Sequence, residues 1–212
     1  DDWYKIRNKY IPPHPLKEFV TENTVHSYEV DEDGFVFLNH QGNRSGSVNT
    51  TTDNCGCHAI IMFYLLIKAF KKKNGRIPTF LEVAQQAINL MGDDNLSGVM
   101  EEFCVDNMGQ FIRDIYSEFG LTVKESAFKE RFMTEENNLE GFEFLGSTAQ
   151  YDEERDIYIP VPRIEKICSS ILYTDATMPI ERYTERIIGL IYLCYGVPWL
   201  EDILFKLLEH LV

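Results

Sequence analysis

The sequence lacks a long uninterrupted apolar run. Its longest candidate, residues 59–70, contains Lys68 and is followed directly by three lysines. A helix that spans a bilayer needs about 20 consecutive apolar residues, so we expect no transmembrane segment. The chain also begins without a methionine and without the features of a secretory signal, which suggests a segment of a longer protein.

Cysteine lacks the spacing of a disulfide framework or of a zinc site. The five cysteines are an odd number, which is typical of a reduced, intracellular protein. The segment Cys55-Gly56-Cys57-His58 contains residue types that bind zinc. Zinc cysteines usually stand two or more residues apart, however, and a second ligand pair is needed. We therefore expect no zinc site here.

The sequence also has few basic residues for its number of acidic ones. The 212 residues include 20 Lys and Arg against 34 Asp and Glu, which gives a formal net charge of -14. Taken alone, this balance argues against a complete nucleic-acid-binding protein, because neutralising phosphates requires basic side chains. Hydrophobic residues make up 44% of the chain, which excludes disorder by composition and allows a substantial core.

The predicted elements are mixed at first and helical afterwards, which indicates an α+β fold. Helices are predicted over residues 3–10, 16–21, 53–72, 106–119, 163–173, 180–195 and 198–211, with Asp106 as a cap and a capping box from Thr79 to Glu82. Strands are predicted over residues 25–30, 35–38, 87–91, 96–100, 121–123, 142–145 and 157–161. We expect one antiparallel sheet of three or four strands backed by the helices over 53–72 and 106–119, and a subdomain boundary between residues 161 and 162.

Two adjacent acids stand at a predicted turn between apolar strands, in Gly92-Asp93-Asp94. Like charges this close repel each other, and a bound divalent cation would remove that repulsion. An exposed acidic hairpin turn is the simpler interpretation of these three residues alone, because Asp and Gly are common in turns.

A polar loop over residues 42–54 precedes the apolar helix. Its Gly, Ser and Thr residues allow the backbone to approach a ligand closely, and Asn54 would lie near the start of the helix. The alternative is a polar connection in which a Thr or Asp caps the helix.

In this order, the two features resemble the palm of viral RNA-dependent RNA polymerases. That family carries Ser-Gly-x-x-x-Thr-x-x-x-Asn before Gly-Asp-Asp, and this chain has Ser45-Gly46, Thr50 and Asn54 in register. Residues 119–124 resemble the family's fourth palm motif, and Phe144-Leu145-Gly146 resembles the fifth. The resemblance covers residues 25–161. The sequence of the polar loop is similar to that of astrovirus-like and picorna-like enzymes. The resemblance implies a palm over residues 1–161 and a helical thumb over residues 162–212.

The resemblance also implies roles for individual residues. Asp93 would bind catalytic Mg²⁺ or Mn²⁺ directly, with Asp94 as a weaker ligand, in a two-metal nucleotidyl transfer. Ser45 and Asn54 would contact the sugar of the nucleotide, with Thr50 in the same motif and Gly46 giving the loop its flexibility. Lys124 would donate a proton to pyrophosphate, with Lys129 as an alternative. Phe144, Leu145 and Gly146 would contact the primer.

The family also needs a carboxylate on a strand upstream of the first helix, and Asp1 and Asp2 are the only acids before that helix. We expect that the essential aspartate and the basic fingers subdomain lie outside this chain, which accounts for its acidity and predicts that the chain alone is inactive. The implied partners are RNA template and primer, nucleoside triphosphates and other viral replication proteins. The implied location is the host cytoplasm, at replication complexes.

Two other functions fit parts of the sequence. Cys55 or Cys57, at the start of an apolar helix, could be the nucleophile of a cysteine hydrolase. Alternatively, the apolar positions of residues 180–212 could dock a partner helix in a non-enzymatic interaction protein.

Overall fold

The computed structural model describes residues 2–40, 49–124, 128–131, 139, 141–173 and 177–211. The chain divides into two compact units, Asp1–Phe128 and Lys129–Val212, which are described separately.

The first unit opens with two short helices and a hairpin. Helix α1 (Asp2–Tyr10) ends before the proline-rich segment 12–15, because proline cannot continue a helix. Helix α2 (Lys17–Val25) leads into strands β1 (Ser27–Val30) and β2 (Val36–Asn39), which pair antiparallel. The predicted helix–helix–hairpin order is confirmed.

The central helix α3 (Thr50–Asn74) is longer at both ends than predicted. Gly75 ends it in the left-handed conformation at φ 72°, where a glycine avoids the strain of a side chain. Helix α4 (Phe80–Ala84) follows, and the predicted capping box between Thr79 and Glu82 is confirmed in both directions.

Strands β3 (Ala87–Met91) and β4 (Asp94–Gly98) form a hairpin, and a short 3₁₀ helix, Glu101–Phe103, connects it to helix α5 (Met108–Glu118). Asp106 does not cap α5 as predicted. Instead, Asn107 precedes the helix at φ 54° and makes no side-chain capping bond.

Residues 121–123 were predicted to be a strand and are not. Val123 packs against the core of this unit, whereas Leu121 is exposed. That core consists of apolar residues from α3, the 3₁₀ helix and α5, and the hairpin adds Ile88 and Leu90 to its edge. The two helices predicted to back the sheet therefore contribute to the core against which the β3–β4 hairpin packs.

The single sheet of three or four strands is not observed. The described strands form two separate two-stranded sheets in the first unit, β1–β2 and β3–β4, and one three-stranded sheet in the second. Hairpin pairing follows from local turn signals, whereas the joining of hairpins depends on long-range packing that these signals do not encode.

The second unit contains the order β5–β6–β7 and three helices. Strands β5 (Glu143–Phe144), β6 (Ser147–Asp152) and β7 (Ile157–Pro162) are antiparallel, and β6 was not predicted. Helices α6 (Ile164–Leu172), α7 (Ile180–Leu193) and α8 (Pro198–Leu211) lie within one or two residues of their predicted bounds.

The helices of the second unit pack around their own core. Its most buried members are Ile187, Leu200, Leu204 and Cys194, each at most 2% exposed. The sheet β5–β6–β7 belongs to this compact unit. The predicted boundary between palm and thumb, between residues 161 and 162, stays a prediction. Among the described helices, none has the length and apolar character that crossing a membrane requires.

Candidate active site

The Gly92–Asp93 turn connects β3 to β4 at the tip of their hairpin. Met91 pairs with Asp94, which leaves two residues in the loop. Gly92 takes φ 63°, as the first central residue of a type II′ hairpin turn requires. The predicted strand–turn–strand arrangement of this acidic segment is confirmed.

Both carboxylates of this segment are available to a ligand. Asp93 and Asp94 are exposed, and neither side chain forms a hydrogen bond or ion pair with any other described residue. Carboxylate oxygens are the protein ligands that Mg²⁺ prefers, with water and substrate phosphates completing the shell. Two free, adjacent carboxylates therefore fit part of a magnesium site.

Helix α3 begins beside this turn. The Gly92 amide donates a hydrogen bond to the Cys55 sulfur at 3.1 Å, and the Cys55 thiol lies 3.8 Å from the carbonyl oxygen of Leu90. Because Cys55 directly follows Asn54 in the chain, the structure brings the predicted sugar-contacting helix start to the residue that precedes Asp93.

The predicted nucleotide-contacting residues are only partly described. Thr50 is the first residue of α3 and Asn54, which is half-buried, lies in its second turn. Ser45 and Gly46 lie outside the described residues.

A second contact joins α3 to the turn. The Nδ1 atom of His58 lies 3.2 Å from the Gly92 carbonyl oxygen, and its Nε2 atom is hydrogen-bonded to the hydroxyl of Tyr116 on α5. Burial raises the pKa of Tyr116 to about 12, so its hydroxyl stays protonated at neutral pH. Both backbone polar groups of Gly92 are thus held by side chains of one helix.

The first turn of α3 is held from its other side by α1. Asp53 is 1% exposed and accepts hydrogen bonds from Trp3 Nε1 at 2.8 Å, the Tyr4 hydroxyl at 3.2 Å and Arg7 Nη1 at 3.0 Å. Burial, and then the Asp53 carboxylate, raise the pKa of Tyr4 to about 12. Asp53 therefore attaches α1 to the helix start and is not its cap, which is Asn49.

The remaining predicted residues fall in both units. Lys124 is exposed just beyond α5, in the same compact unit as Asp93, whereas Lys129 belongs to the second unit. In the second unit, Leu145 and Gly146 form the tight turn between β5 and β6, at φ 55° and 74°. The turn predicted at Phe144-Leu145-Gly146 is confirmed as a local structure.

Three or more metal-binding side chains do not gather anywhere among the described residues. Asp2, one of the two upstream acids, is exposed at the start of α1 and pairs with Lys5 at 3.0 Å. At the Gly92–Asp93 turn, the described part of the chain therefore offers two adjacent carboxylates, those of Asp93 and Asp94.

The contacts of Cys55 do not favour a hydrolase. Its sulfur faces the β3–β4 hairpin, and His58 is hydrogen-bonded to Gly92 and Tyr116. Desolvation raises the pKa of the Cys57 thiol, which opposes formation of the nucleophilic thiolate.

The proposed docking segment over 180–212 is divided between core and surface. Ile187, Leu200 and Leu204 are buried in the second unit, whereas Trp199 and Ile203 are about half exposed. Packing within the unit accounts for the buried positions, and nothing among the described residues selects a partner for the exposed ones.

Sequence reasoning did not anticipate the roles of Asp53, His58 and Tyr116. One signal was present, because His58 stands three residues after Cys55 and thus on the same helix face. Which element that face contacts depends on the tertiary packing of α3, which the local pattern does not contain.

Comparison with known proteins agrees with the geometry. The sequence profile of a family described as viral RNA-dependent RNA polymerase matches residues 4–211. The chain is 28% identical over 161 residues to the non-structural polyprotein 1AB of Turkey astrovirus 2, which covers 74% of this chain and 9% of that polyprotein. It is 26% identical over 197 residues to the same polyprotein of Turkey astrovirus 1, covering 91% of this chain and 12% of the relative.

A solved structure has a similar fold. The Sicinivirus 3Dpol RNA-dependent RNA polymerase aligns with a TM-score of 0.64 and 19% identity, covering 98% of this chain and 42% of that one. The chain thus spans about a tenth of the polyproteins and under half of the solved polymerase. Because the family profile matches nearly its whole length, the chain belongs to the viral RNA-dependent RNA polymerase family.

Proposed function

We propose that this chain supplies part of the catalytic core of an RNA-dependent RNA polymerase. The reaction is template-directed transfer of a nucleotidyl group from a nucleoside triphosphate to an RNA 3′-hydroxyl. The observation that carries the proposal is the Gly92–Asp93 turn. Its backbone is held against the start of α3, while its neighbouring carboxylates bond to no other described residue. Family membership supports the same reaction.

Asp93 and Asp94 are the proposed ligands of Mg²⁺ or Mn²⁺, with Asp93 binding directly and Asp94 beside it. The chemistry that two bound ions supply is activation of the 3′-hydroxyl and stabilisation of the leaving pyrophosphate. A further carboxylate from outside the described residues completes the proposed set. This chain's own contribution is to hold two carboxylate oxygens at a fixed hairpin tip.

Residues around α3 orient the nucleotide in this proposal. Ser45 and Asn54 hydrogen-bond the sugar, and Gly46 and Thr50 belong to the same motif. A site built for a sugar hydroxyl leaves its polar groups unpaired when a deoxynucleotide binds, and therefore rejects it.

Two further roles complete the proposal. Lys124 donates a proton to pyrophosphate, with Lys129 as the alternative donor. The β5–β6 turn at Phe144, Leu145 and Gly146 contacts the primer strand. The proposed partners are an RNA template and primer, nucleoside triphosphates and other viral replication proteins, at replication complexes in the host cytoplasm.

The decisive experiment is primer extension by a polymerase that carries this chain together with the flanking segments of its relatives. Asp93→Asn removes a charged metal ligand, and the loss of several kcal/mol of transition-state stabilisation lowers incorporation at least about a hundredfold. Asp106→Asn, at an exposed aspartate before α5, is the matched control and retains activity. An unchanged rate in Asp93→Asn contradicts the catalytic assignment.

The chain by itself is expected to be inactive. The proposed metal set needs a carboxylate from outside the described residues, so we expect the 212-residue chain to give no incorporation in the same assay. Robust incorporation by the chain alone would contradict the proposal that it is a partial core.

A further inference from the structure

The backbone of Gly92 is held at both of its polar groups, although it lies in a two-residue turn. Its amide donates to the Cys55 sulfur at 3.1 Å, and its carbonyl oxygen lies 3.2 Å from His58 Nδ1. Cys55 and His58 are three residues apart in α3, so they project from one face of the helix. The turn is therefore fixed by a helix and not only by the hairpin's own pairing.

The chemistry of these contacts assigns the tautomer of His58. A carbonyl oxygen only accepts hydrogen bonds, so Nδ1 must carry the proton that points at Gly92. In the neutral ring, Nε2 is then an acceptor, and the protonated Tyr116 hydroxyl donates to it. The rings of His58 and Tyr116 meet edge to face at 5.7 Å, which limits rotation of the imidazole.

Asp93 directly follows this held residue, and its own side chain is bonded to no other described residue. The direction of its carboxylate therefore depends on the backbone at Gly92. An isolated two-stranded hairpin is only marginally stable in water, and the described ends of β3 and β4 pair with no third strand. Without the helix contacts, the turn would sample more than one backbone conformation.

We propose that Cys55, His58 and Tyr116 form a clamp that fixes the Gly92 backbone and thereby positions Asp93 for metal binding. All three are positioning residues, because Cys55 and His58 contact the backbone of the turn and Tyr116 acts through His58. The inference rests on the proposed function of Asp93, and it adds the group that sets the metal affinity of that residue. Replacing a residue that orients a metal ligand without binding the metal itself typically changes the metal affinity by about 10- to 100-fold.

Two substitutions of His58 separate its two hydrogen bonds. In His58→Asn, the amide nitrogen can occupy the position of Nδ1 and still donate to Gly92. In His58→Gln, the longer side chain places its amide near the position of Nε2, so the contact with Tyr116 can persist while the donor to Gly92 is lost. The exposed His210 in α8 provides the matched control, His210→Gln.

The test measures Mn²⁺ binding to the polymerase–RNA complex by electron paramagnetic resonance, alongside the Mg²⁺ concentration that gives half-maximal incorporation. His58→Gln is expected to weaken Mn²⁺ binding about tenfold and to raise the Mg²⁺ requirement by a similar factor. His58→Asn stays within about threefold of the parent, as does His210→Gln, and RNA affinity is unchanged in all three. If His58 had a purely structural role, the Mn²⁺ affinities of His58→Asn and His58→Gln would not differ in this way.

A second pair of variants tests the clamp if His58 variants fail to fold. Cys55→Ser keeps an acceptor for the Gly92 amide, whereas Cys55→Ala removes it. Weaker Mn²⁺ binding in Cys55→Ala but not in Cys55→Ser supports the clamp. Equal Mn²⁺ affinity in the parent, His58→Gln and Cys55→Ala overturns it, as does an equal loss in His58→Asn and His58→Gln.

Asp93→Asn separates this inference from the proposed function. If Asp93→Asn abolishes incorporation while the clamp variants keep the parent's metal affinity, the clamp alone is wrong. If Asp93→Asn also leaves metal binding and incorporation unchanged, the proposed function is wrong, and the clamp's role in metal binding falls with it.

Discussion

At the residue scale, the buried carboxylate of Asp53 has a structural role, because it connects α3 to α1. The carboxylate is almost completely buried and accepts from Trp3, Tyr4 and Arg7, and the Arg7 side chain is itself only 13% exposed. Removing one member of a buried ion pair leaves the other unpaired, which costs about 3–5 kcal/mol. Asp53→Ala is therefore expected to release α1 from α3.

Hydrogen exchange measured by mass spectrometry on the complete polymerase checks this prediction. Amides of α1 and of the first turns of α3 should exchange faster in Asp53→Ala than in the parent. Asp202→Ala, which removes an exposed ion pair with Lys206 in α8, should change exchange little. Unchanged protection of the α1 amides in Asp53→Ala would show that the hydrogen bonds to Asp53 are not needed to hold α1 against α3.

Gly56 is a second residue at which α1 and α3 meet. A Cβ atom at this position would lie 2.4 Å from the Trp3 indole, so Gly56→Ala forces the indole to move away from its hydrogen bond with Asp53. Overpacking of this kind costs about 1–3 kcal/mol. The expected result is a lower thermal unfolding midpoint and faster exchange in α1.

The matched control is Gly189→Ala in α7, where a Cβ atom meets nothing within 4 Å. There, alanine favours the helix by up to about 1 kcal/mol, so the unfolding midpoint should rise or stay the same. If both alanine variants behave alike, the close approach of Trp3 has no energetic consequence.

At the scale of the element, helix α4 depends on a charged capping box. The hydrogen bond from Arg76, followed by those from Thr79, lowers the pKa of Glu82 to about 2 from its ordinary 4.5. A carboxyl group with a lowered folded-state pKa stabilises the fold above its ordinary pKa, and this contribution is lost as the pH falls through the folded-state value.

The difference in thermal unfolding midpoint between the parent and Glu82→Ala should therefore be largest above pH 4.5 and shrink toward pH 2. The physical reason is that protonation removes from the parent the same charge that the substitution removes. Scanning calorimetry at several pH values measures this difference. A difference that stays constant across the range would contradict the lowered pKa.

The elements that sequence predicted best are those with local signals. The capping box at Thr79 and the tight turn at Gly92 each depend on a few adjacent residues. Helix α5 shows the limit of such signals, because Asp106 offered a good cap and the chain instead enters the helix through Asn107 in a left-handed conformation.

At the scale of the whole molecule, the two compact units have separate cores. Phe103 is 2% exposed in the first core, and Leu204 is fully buried in the second. Truncating either side chain to alanine leaves a cavity and costs about 2–5 kcal/mol.

Phe103→Ala should accelerate hydrogen exchange in α3 and α5, and Leu204→Ala should accelerate it in α7 and α8. Each variant is the control for the other, because both remove a large side chain of similar burial. Equal acceleration in both units from either substitution would show that they unfold as one.

The local structure of the candidate site was predictable where its residues form a contiguous motif, as in the hairpin turn at Asp93 and the helix start near Asn54. The contacts around it were not, because His58, Tyr116 and Gly92 come from three elements separated by up to 58 positions in the chain. The partition of the strands among three sheets was missed for the same reason.

The β3–β4 hairpin also has a consequence for the order of folding. Helix α3 forms through contacts between near neighbours in the chain, and such elements assemble early. A two-stranded hairpin with no third strand among the described residues gains its persistence only when it docks on a surface that already exists. The turn that carries Asp93 should therefore reach its final geometry after α3 has formed, so catalytic competence would be acquired late in the maturation of the chain.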